Sequence, residues 1–153
     1  MLPMEANGQR SSKSPFPFLA TEFNEGEAVF SPNGDWIAYT SNESGQAEVY
    51  VRPFPGPGGK FQISSEGGKT PIWPRDGKEI FYVSLNDTKL MSAGIAMKNS
   101  TVEVSNVHPV FAMTGIGCDV TTDGKFIVNV LLESQLSSPL TLVVNWDVEL
   151  RKK

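Results

Sequence analysis

A chain of 153 residues with 20% charged residues and a formal net charge of -4 is long enough for one domain of ordinary size with a substantial core. Its mild acidity argues against a general nucleic-acid binder, which needs a basic face. Cys118 is the only cysteine, so neither an internal disulfide, a thiolate zinc site nor a redox pair can be built within the chain.

Residues 1–15 read as a disordered segment. MLPMEANGQRSSKS has no apolar run after a basic start, and no stretch of the chain approaches the roughly 18 apolar residues of a membrane span. As written, the chain is expected in the cytoplasm, or in the periplasm or outside the cell if it is a fragment of a longer protein. Phe16 to Ala20 has the look of an outer strand with no sheet of its own.

A repeat follows. Phe30 to Tyr39 reads FSPNGDWIAY, Trp73 to Tyr82 reads WPRDGKEIFY, and Val120 to Asn129 reads VTTDGKFIVN, with Gly34, Gly77 and Gly124 spaced 43 and 47 residues apart. That period fits blade-type repeats of about 40 to 50 residues. Asn-Gly or Asp-Gly between two strand-like runs predicts a hairpin whose turn residues take positive φ. Pro32 and Pro74 sit beside two of these turns, where a fixed φ is tolerated.

In the first unit, strands are predicted at Trp36 to Ser41, Glu48 to Arg52 and Lys60 to Ser64. They are separated by the polar loop Asn42 to Gln46 and the Pro/Gly connector Pro53 to Gly59. A turn at Gly67 and Gly68 leads to Thr70 to Trp73. The second unit has Glu79 to Ser84, Lys89 to Ala96 and Thr101 to Asn106, with His108 and Pro109 in a loop near its end. The third has Gly117 to Val120, Lys125 to Leu131, a loop through Ser134 to Pro139, and Leu140 to Trp146, and it lacks a fourth strand. The basic residues Arg151, Lys152 and Lys153 form a solvated tail.

Three stretches, Phe30 to Gly56, Gly67 to Ser84 and Leu140 to Leu150, resemble TolB-like, WD40-like (PD40) β-propeller repeats. The closer resemblance is to the propeller region that follows bacterial serine/threonine kinase domains. The resemblance covers roughly Phe16 to Leu150 and implies an all-β chain of about three four-stranded antiparallel blades, a partial propeller. The chain departs from the pattern at Pro74, where the repeats tend to have Ser, and at Thr121 and Thr122, where they usually read Ser-Pro. No GxGxxG, HRD or DFG motif occurs, so kinase activity does not carry over.

No catalytic constellation is found. Gly67, Gly68, Lys69 and Thr70 imitate the end of a phosphate-binding loop but lie between strands, and a linking turn is expected. His108 is the only histidine and no GxSxG occurs, so neither a serine triad nor a histidine metal centre is expected. Asn33, Asp76 and Asp123 hold equivalent turn positions on separate blades rather than forming a carboxylate cluster. Trp36, Tyr39, Tyr50, Trp73, Phe81, Tyr82 and Trp146 are expected to pack between blades.

The reading is a non-enzymatic binding or scaffold module for a protein or peptide, with no cofactor and no metal. Its alternative is a detached accessory or sensor propeller of a kinase or of a prolyl oligopeptidase-type hydrolase. Binding is expected on the face bearing the loops between second and third strands and between blades, with Asn42, Glu43 and Glu66 as candidates. An open arc of three blades cannot cover Ile37, Tyr39, Phe81 and Val128 together. Either a second copy closes a six-bladed ring, with Phe16 to Ala20 donated to the partner's third blade, or the chain is a piece of a longer protein.

Overall fold

The computed structural model describes residues 16–98, 101–115, 117–121 and 123–130. Leu140 to Trp146, the Ser134 to Pro139 loop, the basic tail and the N-terminal segment 1–15 lie outside the described residues. Ten β-strands and no helix occupy the described chain. The first sheet is a meander of β1 (Glu25–Phe30), β2 (Trp36–Ser41), β3 (Glu48–Pro53) and β4 (Phe61–Gln62). The second repeats that order with β5 (Gly68–Ile72), β6 (Glu79–Ser84), β7 (Lys89–Lys98) and β8 (Thr101–Ala112). A third contains β9 (Gly117–Val120) and β10 (Phe126–Asn129). All pairings are antiparallel, and none of the sheets closes on itself.

Strand alternation explains how the sheets stack. Trp36 and Ala38 of β2 and Val49 and Val51 of β3 share one face, which packs against Ile80 and Tyr82 of β6 and Ala93 and Ile95 of β7. The opposite face of sheet 2 carries Phe81 and the cross-strand pair Leu90 and Phe111. Phe126 of sheet 3 meets Phe81 and Phe111 edge-on, at centroid separations of 5.0 and 5.3 Å.

The other face of sheet 1 holds Ile37, Tyr39 and Tyr50, and here the structure corrects two expectations. Phe16 to Ala20 is not a strand. Phe18 and Leu19 pack on this face with Phe54, Phe18 lying 5.3 Å from Phe54 and under the Arg52 guanidinium. Ile37 and Tyr39 are therefore buried within one chain, at 3% and 2% exposure. The preceding segment supplies this cover. Burial, followed by the charge of Glu43, pushes the Tyr39 hydroxyl up to about 12.

The three repeated turns form, with a different chemistry from that predicted. Gly34, Gly77 and Gly124 have φ of 77°, 70° and 80°, whereas Asn33 and Asp76 do not enter the positive region. The amides of these glycines donate to Ser31, Pro74 and Thr121 carbonyls at 2.9, 3.0 and 3.1 Å. Each unit is thus a β-turn closed by one left-handed glycine, and the Asn or Asp contributes its side chain. Ser31 Oγ donates to Asn33 Oδ1 at 2.7 Å and accepts from the Trp36 amide at 3.0 Å. Thr121 performs the same work, donating to Asp123 and accepting from the Lys125 amide at 3.0 Å. Pro74 has no hydroxyl, and there Asp76 accepts from the Lys78 amide at 3.2 Å.

A second repeated feature has no signature in the residue types. β1 and β5 each carry a register shift, at which Glu27 and Thr70 take φ of 52° and 55°. The Glu27 carboxylate accepts from the Thr70 amide at 2.7 Å, the Thr70 hydroxyl at 3.0 Å and the Thr40 hydroxyl at 2.8 Å, tying sheet 1 to sheet 2. β8 also runs to Ala112, so His108 and Pro109 lie in a strand rather than a loop. β8 is the outer edge of its sheet, where a proline costs no ladder bond if its nitrogen faces outward.

Two outcomes follow from these contacts. Phe18→Ala uncovers Ile37 and Tyr39 and is expected to lower unfolding stability by about 2 kcal/mol in urea titrations. Phe23→Ala, at a residue 39% exposed, should change it by less than about 0.5 kcal/mol. For Glu27, partial burial raises the carboxyl, but the bonds from Thr40 and Thr70 and the charge of Lys69 together hold it below its ordinary 4.5. Its stabilisation is present above pH 4.5 and is lost as pH falls through the lower folded value. The melting-temperature gap between wild type and Glu27→Gln should be widest at neutral pH and should narrow on acidification.

Candidate functional site

The meander places alternate connections at opposite ends of the sheets. At one end lie the loops 42–47, 63–67 and 85–88, the face expected from the sequence to bind. The first two are held together by a buried carboxylate. Glu48, 1% exposed, accepts from Gln46 Nε2 at 2.7 Å, from the Ser64 hydroxyl, and from the Gly67 amide at 2.9 Å. Ser64 Oγ accepts in turn from the Val49 amide at 2.8 Å. The Gly68 amide donates to the Ala47 carbonyl at 2.9 Å, and the Leu85 amide to the Gly67 carbonyl at 3.3 Å.

Gly67 has φ of 88°, and a Cβ on Gly68 would lie 2.5 Å from Ser64 Oγ and 2.9 Å from Tyr82. Both glycines answer to local packing. The Gly67 amide that a phosphate loop would aim at its ligand is spent on Glu48, and Gly68 to Ile72 is a strand.

The three residues singled out in the sequence all lie at this end but are divided between its two sides. Asn42 Oδ1 accepts from the Asn24 amide at 2.8 Å. Glu43 pairs with Lys60, whose ammonium sits 5.1 Å over the Tyr50 ring on the outer face of sheet 1. Glu66 is on the seam with sheet 2, its carbonyl accepting from Asn86 Nδ2 at 2.7 Å. It borders a cleft of about 270 Å³ with Tyr82, Met91 and Val107. Burial, then the charges of Glu48 and Glu66, raises the Tyr82 hydroxyl.

Larger clefts open at the other end, between equivalent turns of successive sheets. The first, about 420 Å³, lies between the 31–35 turn and the 73–78 turn, lined by Pro32, Asn33, Trp73, Arg75, Asp76 and Met97 among others. Glu79 pairs with Gly94, so β7 runs beyond the end of β6, which puts Met97 at this cleft. The Trp73 indole nitrogen is buried without a hydrogen-bond partner. The second cleft, about 380 Å³, lies between the 73–78 turn and the turn after Val120. Arg75 and Asp76 line it too, with Glu79, Phe81, Asp123 and Phe126.

Sequence reasoning placed Trp73 in packing and Asp76 in turn geometry, and both have those roles. It passed over Arg75. The available signal was its repeat position, where the first unit has Pro32 and the third has Thr122.

The other chemistry-bearing residues are dispersed. His108 Nδ1 lies 2.7 Å from the Asn106 carbonyl on exposed β8. Burial, then Asp119, raises the Cys118 thiol away from the thiolate form. Lys125 and Thr121 lower Asp123. Among the described residues no group of His, Cys, Asp and Glu could hold a metal, and no helix is long and apolar enough to cross a membrane. Compared with known proteins, the chain matches no family model and no curated protein.

Removing the Glu48 carboxylate strands three donors. Glu48→Ala is expected to cost about 3 kcal/mol in urea unfolding. Glu48→Gln, which keeps the shape and one acceptor oxygen, should cost less.

Proposed function

We propose that the three sheets are successive blades of a TolB-like propeller and that the chain is a non-enzymatic binding module for a protein or peptide. The observation that carries this reading is the repetition of the cleft. Two cavities of about 420 and 380 Å³ lie side by side between equivalent turns and share Arg75 and Asp76. Adjacent clefts that set aromatic side chains, Trp73 in the first and Phe81 and Phe126 in the second, beside polar and charged groups suit an extended segment that places successive side chains in each. The binding end moves accordingly, from the loops with Asn42, Glu43 and Glu66 to the turns.

The reading extends to ring closure by a second copy, for which Phe30 and Ile127, 49% and 64% exposed, are the apolar residues left on the first and third sheets. Donation of Phe16 to Ala20 is not part of it, because Phe18 and Leu19 already cover sheet 1.

Selection of a random peptide library on the immobilised protein tests the module. Families of related peptides are expected to emerge and to lose about tenfold or more in affinity on Pro32→Trp, which fills the first cleft from an exposed turn position. Enrichment no better than on bare support would sink the reading.

A further inference from the structure

The partner chemistry of the first cleft follows from a surplus of donors. Eight lysines and arginines fall within the described residues. Lys60, Lys89, Lys98 and Lys125 each have a carboxylate partner. Arg52 lies over the Phe18 ring, and Lys69 is in the field of Glu27. The two that remain, Arg75 and Lys78, belong to one turn, 73–78.

The carboxylates that line the clefts with Arg75, Asp76 in both and Glu79 and Asp123 in the second, form no ion pair with it, and each accepts a bond from another residue. Asp76 Oδ1 takes the Lys78 amide at 3.2 Å, Asn33 Oδ1 takes Ser31 Oγ and the Asp35 amide, and Asp35 takes Asn33 Nδ2 at 2.8 Å. Against them the cleft sets Arg75 between apolar walls of Pro32, Trp73 and Met97, and the buried Trp73 indole nitrogen has no partner. The turn itself does not require an arginine, since its equivalents are proline and threonine.

We propose that this cleft recognises an acidic side chain, Asp or Glu, within an extended peptide, held by Arg75 and flanked by an apolar residue against Trp73 and Met97. The planar guanidinium offers paired donors that match a carboxylate. A side chain within a peptide is favoured over a chain terminus because the second cleft adjoins the first, so a bound segment has somewhere to continue. The inference rests on the binding-module reading and names the ligand class of the same site.

The test uses the full chain labelled with ¹⁵N and reads the Trp73 indole resonance, assigned by its loss in Trp73→Phe. The probes are acetylated and amidated Leu/Ser peptides differing only in a central Glu, Gln or Lys, plus a Gln peptide with a free C-terminal carboxylate. The Glu peptide is expected to move the indole resonance saturably. Binding should be about tenfold or more weaker for the capped Gln peptide and for Arg75→Gln, a variant at an exposed turn that should keep the wild-type melting temperature. Added salt should weaken the Glu complex most.

Equal binding of the Glu and capped Gln peptides, or undiminished binding by Arg75→Gln, overturns the inference. Preference for the Lys peptide, or for the free-terminus Gln peptide, overturns it while leaving a binding module in place. No response to any peptide at millimolar concentration also overturns it, and the module then stands or falls by its own library selection.

Discussion

A four-stranded meander that is apolar on both faces cannot stand in water alone, and most of this architecture follows from how each face is covered. The Trp36, Ala38, Val49 and Val51 face of sheet 1 is closed by Ile80, Tyr82, Ala93 and Ile95 of sheet 2. The far face of sheet 2 receives Phe126. The far face of sheet 1 is covered by its own preceding segment through Phe18 and Leu19. Stacking brings equivalent turns of neighbouring sheets side by side, so the clefts are a by-product of covering apolar surface. Their polar lining is then decided by the residue at each turn tip.

Stacking also buries or crowds polar groups at the seams, and two glutamates resolve this at opposite limits. Glu48 is nearly inaccessible and is matched by a side-chain amide, a hydroxyl and a backbone amide. The site is tolerable because every partner is a donor. Glu27 is exposed, yet it reaches across to the bulge at Thr70 and satisfies a backbone amide that the ladder leaves over. One carboxylate locks the loop end and the other the inner strands, and neither reaches the turn end, where Arg75 and Lys78 form no ion pair among the described residues.

Much of this was legible along the chain. Glu79 to Ser84 was placed to the residue, and the three glycine turns were located by their spacing, because strand alternation and turn punctuation are local properties. The turn type was not legible. Asn-Gly and Asp-Gly admit a turn with two left-handed residues, and the hydroxyls of Ser31 and Thr121 favoured one with a single left-handed glycine. Neither Glu27 nor Thr70 advertises positive φ, and nothing in the residues beside Glu48, which opens a strand, marks it as buried. The loop around His108 was misplaced because a proline on an edge strand is compatible with pairing.

Sequence by itself determined the repeat period, the glycine turns and most strands from Trp36 onward, though not β1 (Glu25–Phe30) or the full length of β8, since backbone preference and alternation act over a few residues. Only the tertiary structure decided what covers each sheet, which carboxylates are spent and which cation is left over. Those outcomes depend on residues about 20 to 45 positions apart in the chain meeting across a sheet seam, as Glu27 does with Thr70 and Glu48 with Gly67. No local preference encodes such a meeting. The Arg75 cleft is of the same kind, because its two walls come from turns of two different sheets.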